Sequence, residues 1–245
     1  MNLFSTLISN SALLLTDLNL QAAGLHLGWA LVLAALSAYL LRHFSKFMRF
    51  GGILLTLLAC CLPTVWSPSW WLGLAYQTPS LTLQGIAFLY LFRIWQMRHA
   101  NPMQTHRSTT DIGWPNSLLA LGALMGWALA LDSFALFDLQ LYALGFSHAS
   151  VFIGLMLSAL LWLVSQHSHH EALKQRHRDL AVILLFCMAV MVMTGLPNGN
   201  LWNVLIDPWL WLLAQALLLQ RGMVFVVLRL RLRFRSFAEE WFATI

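Results

Sequence analysis

Charge is what this chain has least of: 9% of its 245 residues are Asp, Glu, Lys or Arg, while 60% are hydrophobic. A soluble globular domain carries roughly 25% charged residues. With so few, a soluble fold of this length could not cover its own core, and the mean hydropathy of +0.72 points to lipid as the solvent for most of the surface. The shortage is also positional. No Asp, Glu, Lys, Arg or His falls near the middle of any predicted apolar span. Ionisable groups at that depth are the usual mark of proton relays and ion pathways, so the pattern disfavours a proton-coupled carrier or an ion pump and leaves an uncoupled lipid or small-molecule carrier open.

Cysteine is scarce too. Cys60, Cys61 and Cys187 all lie within apolar runs; the adjacent pair points to different helix faces, and all three read as small buried hydrophobes. The chain has no H-E-x-x-H string, since His169-His170-Glu171-Ala172 is followed by no histidine at that spacing. The segment SQHSHHEALKQRH is therefore read as a solvated polar connection rather than a metal site. The N-terminus has no basic region and no small-residue cleavage site, so no cleaved signal peptide is expected.

What is present is orientation. The 14 Lys and Arg residues fall in four groups: Arg42, Lys46 and Arg49; Arg93, Arg98 and Arg107; Lys174, Arg176 and Arg178; and Arg221, Arg229, Arg231, Arg233 and Arg235. The connections between alternate apolar runs carry none. Positive charge held on the cytoplasmic side orients polytopic proteins. The predicted architecture is an all-α polytopic transmembrane bundle of seven spans with its N-terminus outside and C-terminus inside. The spans are Ala22–Leu41, Gly51–Trp66, Ser80–Met97, Asn116–Ser133, Ser150–Gln166, Leu180–Leu196 and Pro208–Val227. The second is short and has Pro63 near its end, which predicts a kink or an early stop. Residues 1–21 are read as an outer interfacial segment, 22–227 as a single bundle, and 228–245 as a basic cytoplasmic tail. A bacterial inner membrane suits the short loops and the charge bias. The net charge of +5 is accounted for by the orienting loops, so nucleic acid is not an expected partner.

The three outward connections share a design: SPSWWLGLAYQTP, FALFDLQLYALGFSHA and PNGNLWNVLIDPW. Each is aromatic-rich, free of Lys and Arg, and long enough for a short helix lying at the membrane boundary. Thr78-Pro79 and Asp207-Pro208 read as helix starts, a capping oxygen followed by proline, with Ser147 in the equivalent place. The small residues Gly24 and Gly28, and Gly122 and Gly126, are spaced for close helix packing, and Ala30, Ala34 and Ala38 continue the first stripe.

Chemistry is sparse. Two boundary histidines, His26 and His148, are candidates for holding a cofactor, haem b or a quinone. Asp132, Asp138 and His148 are the candidates for acid–base work at an outer site. No metal site is expected. Arg229, Arg231, Arg233 and Arg235, in the alternating string LRLRLRFR, are expected to contact membrane lipid from an interfacial segment. The leading functional expectation is a non-catalytic component of an inner-membrane assembly, with other membrane-protein subunits as partners, or a small transport-related protein. The alternatives are a haem- or quinone-binding redox subunit and a membrane-embedded enzyme modifying lipid or glycan.

Overall fold

The computed structural model describes residues 18–99, 116–134, 140–168 and 171–243. They form ten α-helices: α1 Leu18–Leu40, α2 Lys46–Cys60, α3 Pro68–Tyr76, α4 Leu81–His99, α5 Asn116–Ser133, α6 Leu141–Leu144, α7 His148–His167, α8 Glu171–Thr194, α9 Leu201–Leu205 and α10 Pro208–Ala243. No strand occurs among the described residues.

Five segments are long and apolar enough to cross a membrane: Leu18–His43, Asn116–Ser133, His148–His167, Glu171–Thr194 and Pro208–Arg231. Two of the seven expected spans fall short by themselves. Helix α2 has 15 residues, a rise of about 22 Å against a hydrocarbon core of about 30 Å. It stops at Cys60, three residues before Pro63. Helix α4 is 19 residues long, but Gln84, Arg93, Gln96 and Arg98 dilute its hydropathy.

The helices pack in three groups. Helix α1 is flanked by α2, α4 and α3, while α7 lies along α8; α4 joins these two groups through α8, and α5 is paired with α10. Lipid supplies no hydrophobic drive between helices, so close approach over small residues has to hold them. On α1 the stripe Ala30, Ala34 and Ala38 is buried, and Ala38 meets Tyr90 and Ile94 of α4. On α7 the buried face is Ser150, Gly154, Ser158, Leu161 and Ser165. There Ser158 Oγ donates to the Ala181 carbonyl at 2.8 Å, and Gly154 lies against the Met188 thioether. The opposite faces carry large exposed apolar side chains, among them Phe47, Phe152, Met156, Phe186 and Leu219, which is the surface a lipid solvent selects.

The connections 61–80 and 195–207 and the described part of the second, 140–147, lie at one end of the molecule, here the connection end. The other, basic end carries Arg42, Lys46 and Arg49 together with Arg93 and Lys174.

Three expectations are corrected. The solvated connection is shorter than SQHSHHEALKQRH implies: α8 starts at Glu171, and Asp179 on it forms an ion pair with Arg93 of α4 while accepting from Gln175 Nε2 at 2.8 Å. Arg93, within the third expected span, therefore pairs across helices. Secondly, the basic tail is no separate interfacial segment, because α10 runs unbroken for 36 residues, from Pro208 to Ala243. At 100° per residue a period-two alternation places its basic positions on two opposed sides of a helix, roughly 200° apart, so no single apolar face exists to lie flat on a membrane. Finally, α4 begins at Leu81, two residues later than Thr78-Pro79 implies. Ser80 is its cap, with Oγ accepting from Leu83 N at 3.2 Å.

The glycines of α5 separate cleanly. A Cβ at Gly126 would run into the Trp211 indole of α10, whereas nothing lies within 4 Å of one at Gly122. Gly126→Ala is expected to lower the thermal unfolding midpoint in detergent, at a cost of about 1–3 kcal/mol, and Gly122→Ala to leave it unchanged or slightly raised.

Candidate ligand-binding site

The connection end is held together by side chains bonded to distant backbone groups. Asp207 sits between α9 and α10. Its Oδ1 accepts from Leu210 N at 2.7 Å, capping α10, and its Oδ2 accepts from Ser80 N at 2.6 Å, at the start of α4. One carboxylate thus serves two helix starts, where unsatisfied N–H groups and the helix dipole both favour negative charge. Thr82 Oγ1 adds a bond to the Val204 carbonyl at 2.9 Å.

Asn200 does the same work between the second and third connections. It is fully buried; its Oδ1 caps α9 at Trp202 N (2.8 Å) and its Nδ2 donates to the Tyr142 carbonyl (3.1 Å). Trp202 Nε1 donates to the Leu141 carbonyl at 2.6 Å, and Leu201 N to the Gly145 carbonyl at 2.9 Å. Gly145 is required at this crossing because a Cβ there would meet the Asn200 side chain. Helix α9 is consequently no boundary helix: Leu201 and Val204 have no exposed surface, and the element is a plug packed on α4, α7 and α8.

Above this stitching lies an open cleft of about 720 Å³, within the size range of small-molecule sites. Its polar lining is Gln21 of α1, Gln77 and Thr78 after α3, Tyr142 of α6, and Asn198, Asn203 and Asp207 of the third connection. Its apolar lining includes Leu18, Ala22, Leu25, Ile206 and Pro208. Tyr76, also in the lining, makes an edge contact with Trp209, centroids 5.0 Å apart, and both rings meet the buried Trp29. Trp29 Nε1 donates to the Gln77 carbonyl at 2.8 Å. Asn203 Nδ2 donates to the Tyr142 hydroxyl at 3.1 Å.

Gln77 is the conformational outlier of this wall. It follows α3 with φ 60° and ψ −155°, a region essentially reserved for glycine and costing another residue of order 1–3 kcal/mol. Two bonds hold it there, its N–H to the Gly73 carbonyl at 2.9 Å and its carbonyl to Trp29. Strain of this kind concentrates where a side chain is needed in one particular place.

The residues singled out by sequence lie mostly around this cleft and not in it. His26, half-buried on α1, offers its carbonyl to Ser69 Oγ at 3.4 Å. His148 is exposed in the first turn of α7. Neither lines the cleft; α1 packs with α2, α3 and α4, and α7 with α8. Asp132 Oδ2 accepts from Tyr142 N at 2.8 Å, fastening α5 to α6. Asp138 lies outside the described residues. Gly28 is tightly packed, since a Cβ would fall 2.8 Å from Gln84 Nε2 and 2.9 Å from Pro79 Cγ; Gly24 meets only the Leu196 side chain, at 3.2 Å. Arg229 and Arg231 are exposed, with the Arg229 guanidinium over the Phe225 ring. Of Arg233 and Arg235 only the helical backbone is described. Gln21, Gln77, Asn198 and Asn203 were not anticipated: single amides in turns carry no periodic signal, and only the fold gathers them.

No family model, curated protein or solved structure matches this chain.

Removing the shared carboxylate exposes its importance. Asp207→Ala is expected to destabilise the fold by about 2–4 kcal/mol, because two amide N–H groups lose a charged acceptor. Asp207→Asn, which keeps one acceptor oxygen, should cost about half as much by thermal or denaturant unfolding in the same detergent.

Proposed function

We propose that this chain is an integral membrane protein with seven crossing helices, N-terminus outside and C-terminus inside, working without catalysis as the ligand-binding component of an inner-membrane assembly or transport process. The observation that carries this reading is the cleft: it is walled by amides, a phenol and a carboxylate, over three connections stitched into one unit. The acids favour binding over acid–base work. Asp207 gives both oxygens, and Asp132 one, to backbone N–H groups, which are positioning roles.

The packing supports α2 and α4 as the two further crossings. Ser37 Oγ and Thr56 Oγ1 share a hydrogen bond of 2.7 Å between α1 and α2, and Ser69 of α3 reaches His26 near the start of α1. The hairpin therefore runs the length of a helix that itself spans. Short or polar helices cross a bilayer when neighbours cover their polar groups. One-sided basic charge supports the orientation and a bacterial inner membrane. Arg42 and Arg178 lie over the Tyr39 and Trp162 rings, as boundary arginines do when their stems cover apolar surface. The same orientation supports contact of Arg229 and Arg231 with anionic lipid headgroups, an attraction of about 1 kcal/mol per charge.

Labelling of single cysteines, in a background lacking Cys60, Cys61 and Cys187, tests the arrangement. Leu74→Cys on α3 is expected to react with an impermeant maleimide from outside intact cells, and Lys174→Cys only after permeabilisation. If α2 and α4 did not cross, Leu74→Cys would stay silent until the membrane is opened, and the seven-span reading would fail.

A further inference from the structure

We infer that the cleft takes an uncharged, hydroxyl-rich headgroup carried on an apolar chain, a glycosyl- or polyol-headed amphiphile; this deepens the binding reading above and rests on it.

Electrostatics limits the ligand first. Among the described residues that line the cleft there is no Lys, Arg or His, so an anionic head would enter without a counter-charge from them. The one carboxylate offers little to a cation. Asp207 faces the starts of α4 and α10, and each helix N-terminus contributes roughly +0.5 of a charge, which together offset a single negative charge. The cleft is polar yet close to neutral, and a charged head would lose its hydration there for little return.

Hydrogen-bonding capacity then selects among neutral heads. Gln21, Gln77, Asn198 and Asn203 are amides, a group with both donors and an acceptor; Asn198 Oδ1 already accepts from Asn200 N and Asn203 Nδ2 donates to the Tyr142 hydroxyl, and the remaining capacity still includes donors and acceptors. A hydroxyl also donates and accepts, so a cluster of hydroxyls matches a ring of amides. A quinone, whose carbonyls only accept, would leave the amide oxygens unmatched. Gln77 is held at its glycine-like φ at the edge of this ring, where the backbone cost is explained by a side chain required at that spot. Beside the amides the lining is apolar, with Leu18, Ala22 and Leu25 on one face of α1 and Ile206 before α10, a surface suited to the first part of an attached chain.

The test uses the full chain in nanodiscs and probes sharing one alkyl tail: octyl glucoside, octyl sulfate and octyltrimethylammonium, each below its micellar concentration, with a short-chain ubiquinone beside them. Calorimetric titration should show saturable binding of octyl glucoside at least tenfold tighter than either charged probe or the quinone. Gln77→Gly should weaken it about five- to tenfold while raising the unfolding midpoint, because glycine relieves the backbone and loses the amide; a merely structural glutamine would move only the midpoint. Asn203→Ala, checked for an intact helical spectrum, should weaken binding similarly. Tighter binding of a charged probe or of the quinone would overturn the headgroup assignment and leave the cleft a binding site. Uptake of all probes alike, or of none, unchanged in both variants, would overturn the binding reading as well.

Discussion

The structure depends on a constraint that lipid imposes: a backbone N–H or C=O buried away from water has to find its partner inside the protein. Long helices meet it by themselves except at their ends, and the ends are where this chain uses its few polar side chains. Asp207 closes two helix starts at once. Asn200 closes a third and reaches back to the second connection. Indole N–H groups of Trp29, Trp202 and Trp211 donate to carbonyls at Gln77, Leu141 and Ala123. A protein with so few charges thus ties one end together through single, well-placed polar atoms, and the cleft lies against those ties.

The helices were legible in the sequence because long apolar runs leave little alternative, and the expected span Asn116–Ser133 coincides with α5. A short helix within each aromatic, base-free connection was legible as well, in α3, α6 and α9. Other features were not, for identifiable reasons. Asp179 lay just outside an apolar window that opened at Leu180, so neither its helix nor its pairing with Arg93 was foreseen. The string LRLRLRFR alternates in a way that suggests a strand or a surface segment, yet the helix simply continues from an apolar run that had no stop signal. PNGN reads as a turn, and nothing local distinguishes Asn200 as the most buried polar side chain of the connection. The cleft could not be read at all, because its amides are scattered between positions 21 and 203 and only tertiary contacts bring them together.

The two ends divide the work. At the basic end, polar groups lock helices: Arg93 with Asp179, and Arg221 with Asn116 at 2.5 Å. At the connection end the same kind of polar economy leaves a surplus, since the amides of Gln21 and Gln77 line a space instead of filling it. A residue held in a strained backbone at that edge agrees with a surface shaped to bind more than to hold.

Bonds running from one connection to the next should make the three a single cooperative unit. Native-state hydrogen exchange of the backbone amides of Ser80, Tyr142, Leu201 and Leu210 tests it most directly, since these donate across or into the three connections. All four are expected to open together, with a common free energy, and Asp207→Ala to lower the protection of all four alike. Independent opening, with Ser80 and Leu210 losing protection while Tyr142 and Leu201 keep theirs, would contradict it.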